Sequence, residues 1–230
     1  MAHSGFRRGP EAATTEAVED YAKAIYELER RCEGAVGTSA LASRLGVSPG
    51  TATAMVKRLA ELGFAEHEPY RGASLTEAGE RVALEVIRHH RLIEAYLAEA
   101  LGMPWDRVHD EAEVLEHYIS EELEERIAAA LGDPQFDPHG DPIPDRRLVL
   151  PDESAGVTLA SLEPGEGGKF SRVSDSDPAM LRYLDERGIR PGAEIVVRER
   201  EPFGGALMVT SAGTSHAIGP ELALRMIVAG

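Results

Sequence analysis

The chain has 230 residues, of which 43% are hydrophobic, enough for one large domain or two to three small ones with a buried core. Its single cysteine, Cys32, excludes an intrachain disulfide and a thiolate-rich metal site, and the lack of an 18-residue apolar run or apolar leader makes a cytoplasmic protein without a membrane span the expectation. The formal charge of −16 is uneven, with nine basic against ten acidic residues over 1–75, five against 18 over 76–145 and ten against 12 over 146–230, so a nucleic-acid-binding first segment stays compatible with the acidic total.

Residues 1–15 are small, polar and unpatterned, which reads as a disordered tail. A helix follows from about Thr15 to Cys32, with Val18, Tyr21, Ala22, Ile25 and Leu28 at helical spacing and Gly34 ending it. In GTSALASRLGVSPGTATAMVKRLAELGF, Thr38 or Ser39 can cap a short helix and Gly46 makes a turn. Ser48 caps a second helix, with Pro49 in its first turn where no amide hydrogen is missed. Two short helices joined by a glycine turn read as a helix-turn-helix, and FAEHEPYRGASLT alternates around a PYRG turn as a two-stranded wing. The plainer alternative is a winged-helix interaction module without DNA. On the DNA reading, Ser48, Gly50, Thr51 and Thr53 face the major groove, with Thr38 and Ser39 beside them on the preceding helix. Lys57, Arg58 and Arg71 then lie near phosphates or a minor groove.

From Thr76 as cap, a long helix carries His90 and Glu94 four residues apart on one face, with Gly102 after its end. A second helix is expected over about Val108 to Leu131. In VHDEAEVLEHYISEEL, His109, Glu113, Glu116 and His117 share one stripe, beside an apolar stripe of Ala112, Leu115, Ile119 and Leu123. A solvated acidic face would explain four such groups on most helices, but at a core boundary unpaired charge is costly, which favours a shared ligand. Ile119, Leu123, Ile127 and Leu131 recur at a spacing of four, and a dimer interface is their natural use. GDPQFDPHGDPIPDRR marks a domain boundary, and turn chemistry explains His139 between Asp137 and Asp141 better than a metal cluster does. AEIVVRE, GALMVTS and LRMIVAG alternate as strands of a small β-barrel, interrupted by one helix in DPAMLRYLDERG.

The motifs EDYAKAIYELE, HHRLIEAYL, VHDEAEVLEH and DPHGDPIP together make residues 15–230 resemble the metal-dependent repressors of the diphtheria toxin repressor family, and the manganese-responsive members more than the iron-responsive ones. The resemblance implies a mainly α protein with a small β domain. Its parts would be a disordered tail over 1–14, a winged helix-turn-helix over 15–76, a helical metal-binding and dimerisation domain over 77–145, and an SH3-like β-barrel over 146–230. It also implies a principal metal site at Asp20, Glu113, Glu116 and His117, and a second at His90, Glu94 and His109 completed by Asp175 or Asp177 of VSDSDP. Iron regulators of the family place Met and Cys where this chain has Asp20 and Glu113, whereas manganese regulators place carboxylates. The short two-domain manganese regulators have an acidic residue where this chain has Lys23, which argues against their bridged metal pair; Ala54 replaces a recognition-helix glutamine of the toxin repressor, so its operator does not transfer.

Three carboxylates and one imidazole suit Mn²⁺ or Fe²⁺, while Co²⁺, Ni²⁺ and Zn²⁺ serve as surrogates in vitro. The expected function is a manganese-activated repressor of metal-ion uptake and homeostasis genes, or alternatively an iron(II)-activated repressor of iron acquisition. Its partners would be double-stranded operator DNA and a second copy of the chain, with no membrane and no small organic substrate. A metallohydrolase could use similar carboxylates, but no H-E-x-x-H motif or recognised nucleophile occurs, so no enzyme is expected. A metal-indifferent winged-helix regulator would bind its DNA equally well after chelation.

Overall fold

The computed structural model describes residues 15–31, 34–68, 71–151 and 156–230. The expected tail over 1–14 and the wing-turn residues Pro69 and Tyr70 lie outside the described residues. The chain divides into two compact units, the first ending at Ile87 and the second running from Arg88 to Gly230.

The first unit begins with α1 (Glu16–Arg31), whose Val18, Tyr21, Ala22 and Ile25 are buried at the spacing of one helical face. Helices α2 (Thr38–Arg44) and α3 (Pro49–Glu61) form the helix-turn-helix, with Gly46 at φ 65° in the turn between them. Ser48 caps α3 as expected, its hydroxyl accepting from the Thr51 amide at 3.1 Å. The cap assigned to Thr38 or Ser39 is corrected: Gly37 occupies that position without a side-chain bond, and Thr38 is already the first helical residue. Strands β1 (Ala65–Glu68) and β2 (Gly72–Leu75) pair antiparallel, Ala65 opposite Leu75, as the wing.

Helix α4 (Glu77–Glu99) starts behind Thr76, whose hydroxyl accepts from the Gly79 amide at 3.2 Å; the division between the units falls within α4, after Ile87. Gly79 is required by packing, since a Cβ there would meet the Phe64 carbonyl oxygen at 1.8 Å. In the second unit the expected single helix from Val108 to Leu131 is two helices, α5 (Val108–Leu115) and α6 (Glu121–Ala130). The reason is a second start signal: Ser120 adopts an extended backbone and caps α6 by accepting from Leu123 N at 3.3 Å. The break also redistributes the apolar stripe. Ile127 is buried with Leu92, Ala128 and Ile143 of the same chain, so it is removed from the dimer face expected from the spacing of four, while Ile119 and Leu131 are partly buried against the same cluster. Among the described residues from 108 to 130, the exposed large apolar side chains are Val114, Leu115, Tyr118 and Leu123.

The carboxy-terminal part is an antiparallel sheet in the order β3-β8-β4-β5-β6-β7. Its strands are β3 (Gly156–Thr158), β4 (Gly167–Val173), β5 (Glu194–Arg200), β6 (Leu207–Ser211), β7 (Thr214–Ile218) and β8 (Met226–Ala229). Helix α7 (Pro178–Asp185) lies between β4 and β5, and α8 (Pro220–Arg225) between β7 and β8. Alternation places Ile195 and Val197, Leu207 and Val209, and Met226 and Val228 in one core with Phe170, Leu181 and Leu184. Trp105, from the loop before α5, is buried in that same core and ties the helical part to the sheet. Among the described residues, no helix is long and apolar enough to cross a membrane.

Candidate metal centre and nucleic-acid interface

Helices α4 and α5 bring His90, Glu94 and His109 together. His90 Nε2 lies 3.1 Å from Glu94 Oε1 and 3.1 Å from His109 Nδ1, and the two rings meet edge to face at 4.9 Å. The chain leaving β4 adds Asp175, whose Oδ2 is 3.0 Å from His109 Nδ1. These four residues offer two imidazole nitrogens and two carboxylate oxygens, all within 4.8 Å of one another. Asp177 is not among them: its carboxylate caps α7 by accepting from Ala179 N at 2.9 Å.

A second group shares His90. Its Nδ1 is 2.5 Å from Glu116 Oε2 and 3.9 Å from Glu113 Oε1, while His117 Nε2 is 3.6 Å from Glu116 Oε1. Glu116 is almost wholly buried and Glu113 is half-exposed. Asp20 is partly buried on α1 of the first unit.

A third contributor lies in the 137–141 turn, which the sequence explains by turn chemistry. Asp137 performs the expected turn chemistry, its Oδ1 accepting from His139 N at 2.8 Å and Asp141 N at 3.0 Å. The His139 side chain is nevertheless fully buried. Its Nε2–H donates to the Trp105 carbonyl at 2.7 Å and its ring stacks on the Trp105 indole at 5.7 Å, which turns Nδ1 toward Glu94 Oε2, 3.7 Å away. Glu94, Asp137 and His139 thus form another group whose donor atoms lie within 4.8 Å. Gly140 permits the close approach, because φ is 90° and a Cβ would fall 1.9 Å from the Ser171 carbonyl. Fixed Pro and Gly spacing was the available signal in the sequence, but burial of His139 depends on tertiary packing.

The electrostatics are those of buried charge held by its neighbours. Burial opposes ionisation of Glu94, but His90, His109 and His139 outweigh it and hold the carboxyl well below the usual range. Asp175, followed by Glu94, raises His109 to about 10 against the loss of solvent. Burial works against the charge on His139, and Glu94 and Asp137 overcome it, raising the group to about 9. Asp137 moves well upward, through burial and then repulsion from Asp141 and Glu94.

These residues fit a divalent cation. Glu94 Oε2 and His139 Nδ1 are buried and make no direct hydrogen bond, facing each other only as a long ion pair, an arrangement that an ion between them would improve. Their 3.7 Å separation is within the roughly 4 Å that two atoms each about 2 Å from a common ion can span. A donor set of imidazoles and carboxylates selects for hard or borderline metals.

The first unit presents different chemistry. Ser48, Gly50 and Thr51 are exposed at the start of α3, and Thr53 is half-buried one turn later. Ser48 and Thr51 hydroxyls lie 2.8 Å apart, and Thr53 donates to the Pro49 carbonyl at 2.8 Å. Thr38 is half-buried and Ser39 exposed on α2. Lys57 is exposed on α3, Arg58 pairs with Glu61 at 3.3 Å, and Arg71 pairs with Glu68 at 3.0 Å on the wing. These exposed pairs contribute little to stability and can open toward a phosphate.

A winged helix-turn-helix combined with a buried cluster of imidazoles and carboxylates defines a metal-responsive DNA-binding regulator. Residues 13–73 match the iron dependent repressor N-terminal DNA binding domain, residues 76–145 its metal binding and dimerisation domain, and residues 157–229 the FeoA domain. The chain is 32% identical over 217 residues to the iron-dependent repressor IdeR of Mycobacterium tuberculosis, covering 89% of this chain and 93% of that protein. A solved manganese-dependent transcriptional repressor in complex with manganese is 40% identical and superposes with a TM-score of 0.84, covering 93% of this chain and 100% of the other. The structure of IdeR from T. acidophilum gives 30% identity and a TM-score of 0.72, covering 95% and 99%. The chain belongs to the diphtheria toxin repressor family of metal-dependent transcriptional regulators, whose members are DNA-binding proteins rather than enzymes.

Proposed function

We propose that the protein is a manganese-activated repressor that binds operator DNA as a homodimer and controls genes of metal-ion uptake and homeostasis. The observation that carries this reading is the donor set. Every candidate ligand is a carboxylate or an imidazole, and carboxylates stand at the two positions, Asp20 and Glu113, where the family's iron regulators carry sulfur. Oxygen-rich sites suit Mn²⁺, which gains least from sulfur donors. The 40% identity to a manganese-dependent repressor supports the same choice. The second reading, an Fe²⁺-activated repressor of iron acquisition, draws on the 32% identity to IdeR.

Two sets of residues would hold metal. Glu113, Glu116 and His117 form the principal set, which Asp20 joins on the strength of the sequence correspondence. His90, Glu94, His109 and Asp175 form the second, with Asp137 and His139 meeting the other Glu94 oxygen. A bound divalent cation would supply the positive charge that lets these groups remain buried together without their protons. Asp175 brings the β domain into the second set, and the main-chain carbonyl of His139 accepts from Val173 N of β4 in the same domain. Ser48, Gly50, Thr51 and Thr53 are assigned to the major groove, with Thr38 and Ser39 beside them. Lys57, Arg58 and Arg71 are assigned to the backbone or minor groove. Val114, Leu115, Tyr118 and Leu123 are assigned to the dimer face. Two heads about one DNA turn apart then read the two half-sites.

The test is selection of DNA from a random duplex pool with Mn²⁺, followed by anaerobic titration of binding against free Mn²⁺ and free Fe²⁺. Activation at lower free Mn²⁺ than its cellular competitors require supports the manganese reading. Activation by Fe²⁺ alone establishes the second reading.

A further inference from the structure

His89, immediately before the candidate ligand His90, is buried on α4 and belongs to none of the ligand groups. Its Nδ1 is 3.1 Å from the main-chain carbonyl of Glu116, and its Nε2 is 3.0 Å from Glu124 Oε2. Both partners are oxygen atoms that accept hydrogen bonds, one on the main chain at the end of α5 and one on a side chain of α6. Glu124 lies in the first turn of α6 and also accepts from Arg88, whose guanidinium donates in addition to the Pro144 carbonyl. Burial alone would raise the Glu124 carboxyl, but His89 and Arg88 together hold it below the ordinary range.

The place where His89 grips the chain matters. Glu116 is the C-cap of α5, where main-chain carbonyls run out of helical partners and the end of the helix carries partial negative charge. An imidazole N–H there satisfies the carbonyl and marks where α5 stops. Consecutive residues of α4 thus hold the two ends of one residue: His89 takes the Glu116 carbonyl, and His90 faces the Glu116 carboxylate. The other nitrogen of His89 reaches α6, so one side chain ties α4, the end of α5 and the start of α6.

We propose that His89, held by Glu124, is a positioning residue for the metal centre. It sets the end of α5 and thereby the direction in which the Glu116 carboxylate and His117 present their donor atoms. This rests on the reading of Glu116 and His117 as metal ligands. Groups behind a ligand that fix its orientation typically change metal affinity by about 10- to 100-fold when removed. An ordinary buried polar contact would change stability without a comparable effect on affinity.

The experiment uses the full chain and Mn²⁺ alone, with free Mn²⁺ counted by electron paramagnetic resonance and thermal midpoints recorded without and with saturating Mn²⁺. His89→Leu removes both ring contacts and should weaken Mn²⁺ binding about 10- to 100-fold and shrink the metal-induced rise in midpoint. His89→Lys restores N–H donors at this position and should recover most of that affinity. Glu124→Gln leaves a neutral acceptor for His89 and should give a smaller loss; it decides the matter if His89→Leu does not fold. Wild-type Mn²⁺ affinity in a folded His89→Leu, with both midpoints lowered equally, would overturn the inference. So would unchanged affinity in Glu124→Gln where the leucine variant is unfolded. A wild-type chain that bound no Mn²⁺ would remove the metal reading and this inference together.

Discussion

The two units handle polar chemistry in opposite ways. In the first, the residues assigned to DNA are exposed or half-buried, and Ser48, Thr51 and Thr53 satisfy their hydroxyls within a single helix. In the second, His90, Glu94, Glu116 and His139 are all at least 95% buried, and each is within 4 Å of another chemically active group. A DNA contact must be available to its partner and can be made from a local cap. A metal centre must gather groups from α4, α5, the 137–141 turn and the segment after β4, and it places charge where water is absent. The first arrangement predicts small effects on stability. The second predicts large ones.

The largest is expected for Glu94→Gln, which withdraws the charge shared by His90, His109 and His139. Breaking a buried ionic network by neutralising one member costs about 3 kcal/mol or more, and metal uptake by this cluster should be lost. Urea denaturation of the metal-free protein measures the first effect. A change near zero would mean that the histidines do not depend on Glu94. The dimer face comes next: Leu123 is 49% exposed in the single chain, so Leu123→Asp should leave the fold intact and give monomers by sedimentation. An unchanged dimer would move the interface elsewhere.

Proton linkage sharpens the same contrast. His109 is raised in the metal-free protein to about 10. Its stabilising contribution is complete below its unfolded value near 6.5 and is lost as pH rises through about 10. Because a ligand nitrogen must give up its proton, apparent metal affinity should rise about tenfold per pH unit for each proton displaced between about pH 7 and 10. The slope should fall by one proton in His109→Ala; an unchanged slope would place the proton release elsewhere. In the first unit the effects are smaller. Ser48→Ala should cost about 1 kcal/mol through loss of the cap. Arg71→Ala should weaken binding to many sequences and reduce the salt slope by about one, whereas Thr51→Ala should alter preference between operators. Equal losses on every sequence would contradict that division of roles.

The same contrast decides what the sequence made legible. The helix-turn-helix was readable because its signals are local: Ser48 and Pro49 at one helix start, Gly46 at the turn, and alternation in the wing. His90 and Glu94 were readable from their spacing on one helix. The break at Ser120 is hidden in the sequence because the apolar repeat of Ile119, Leu123 and Ile127 runs on through it, and a periodicity does not reveal that a serine has left the helix. Repacking then buries Ile127 against Leu92 and Ile143. The turn chemistry around His139 is genuine and accounts for the local pattern; only the packing of Trp105 and Glu94 around its ring gives it a second use. The choice between Asp175 and Asp177 likewise needed the path of the chain after β4, which places one carboxylate at His109 and the other at the start of α7.

The most direct test of the account replaces both distinguishing carboxylates, Asp20→Met with Glu113→Cys, and measures binding to the selected operator against free Mn²⁺ and free Fe²⁺ under anaerobic conditions. With Glu116 and His117 left in place, activation by Mn²⁺ should weaken and activation by Fe²⁺ should strengthen relative to it, since sulfur donors favour manganese least. Two curves that keep their original order and spacing would contradict the assignment of metal choice to Asp20 and Glu113.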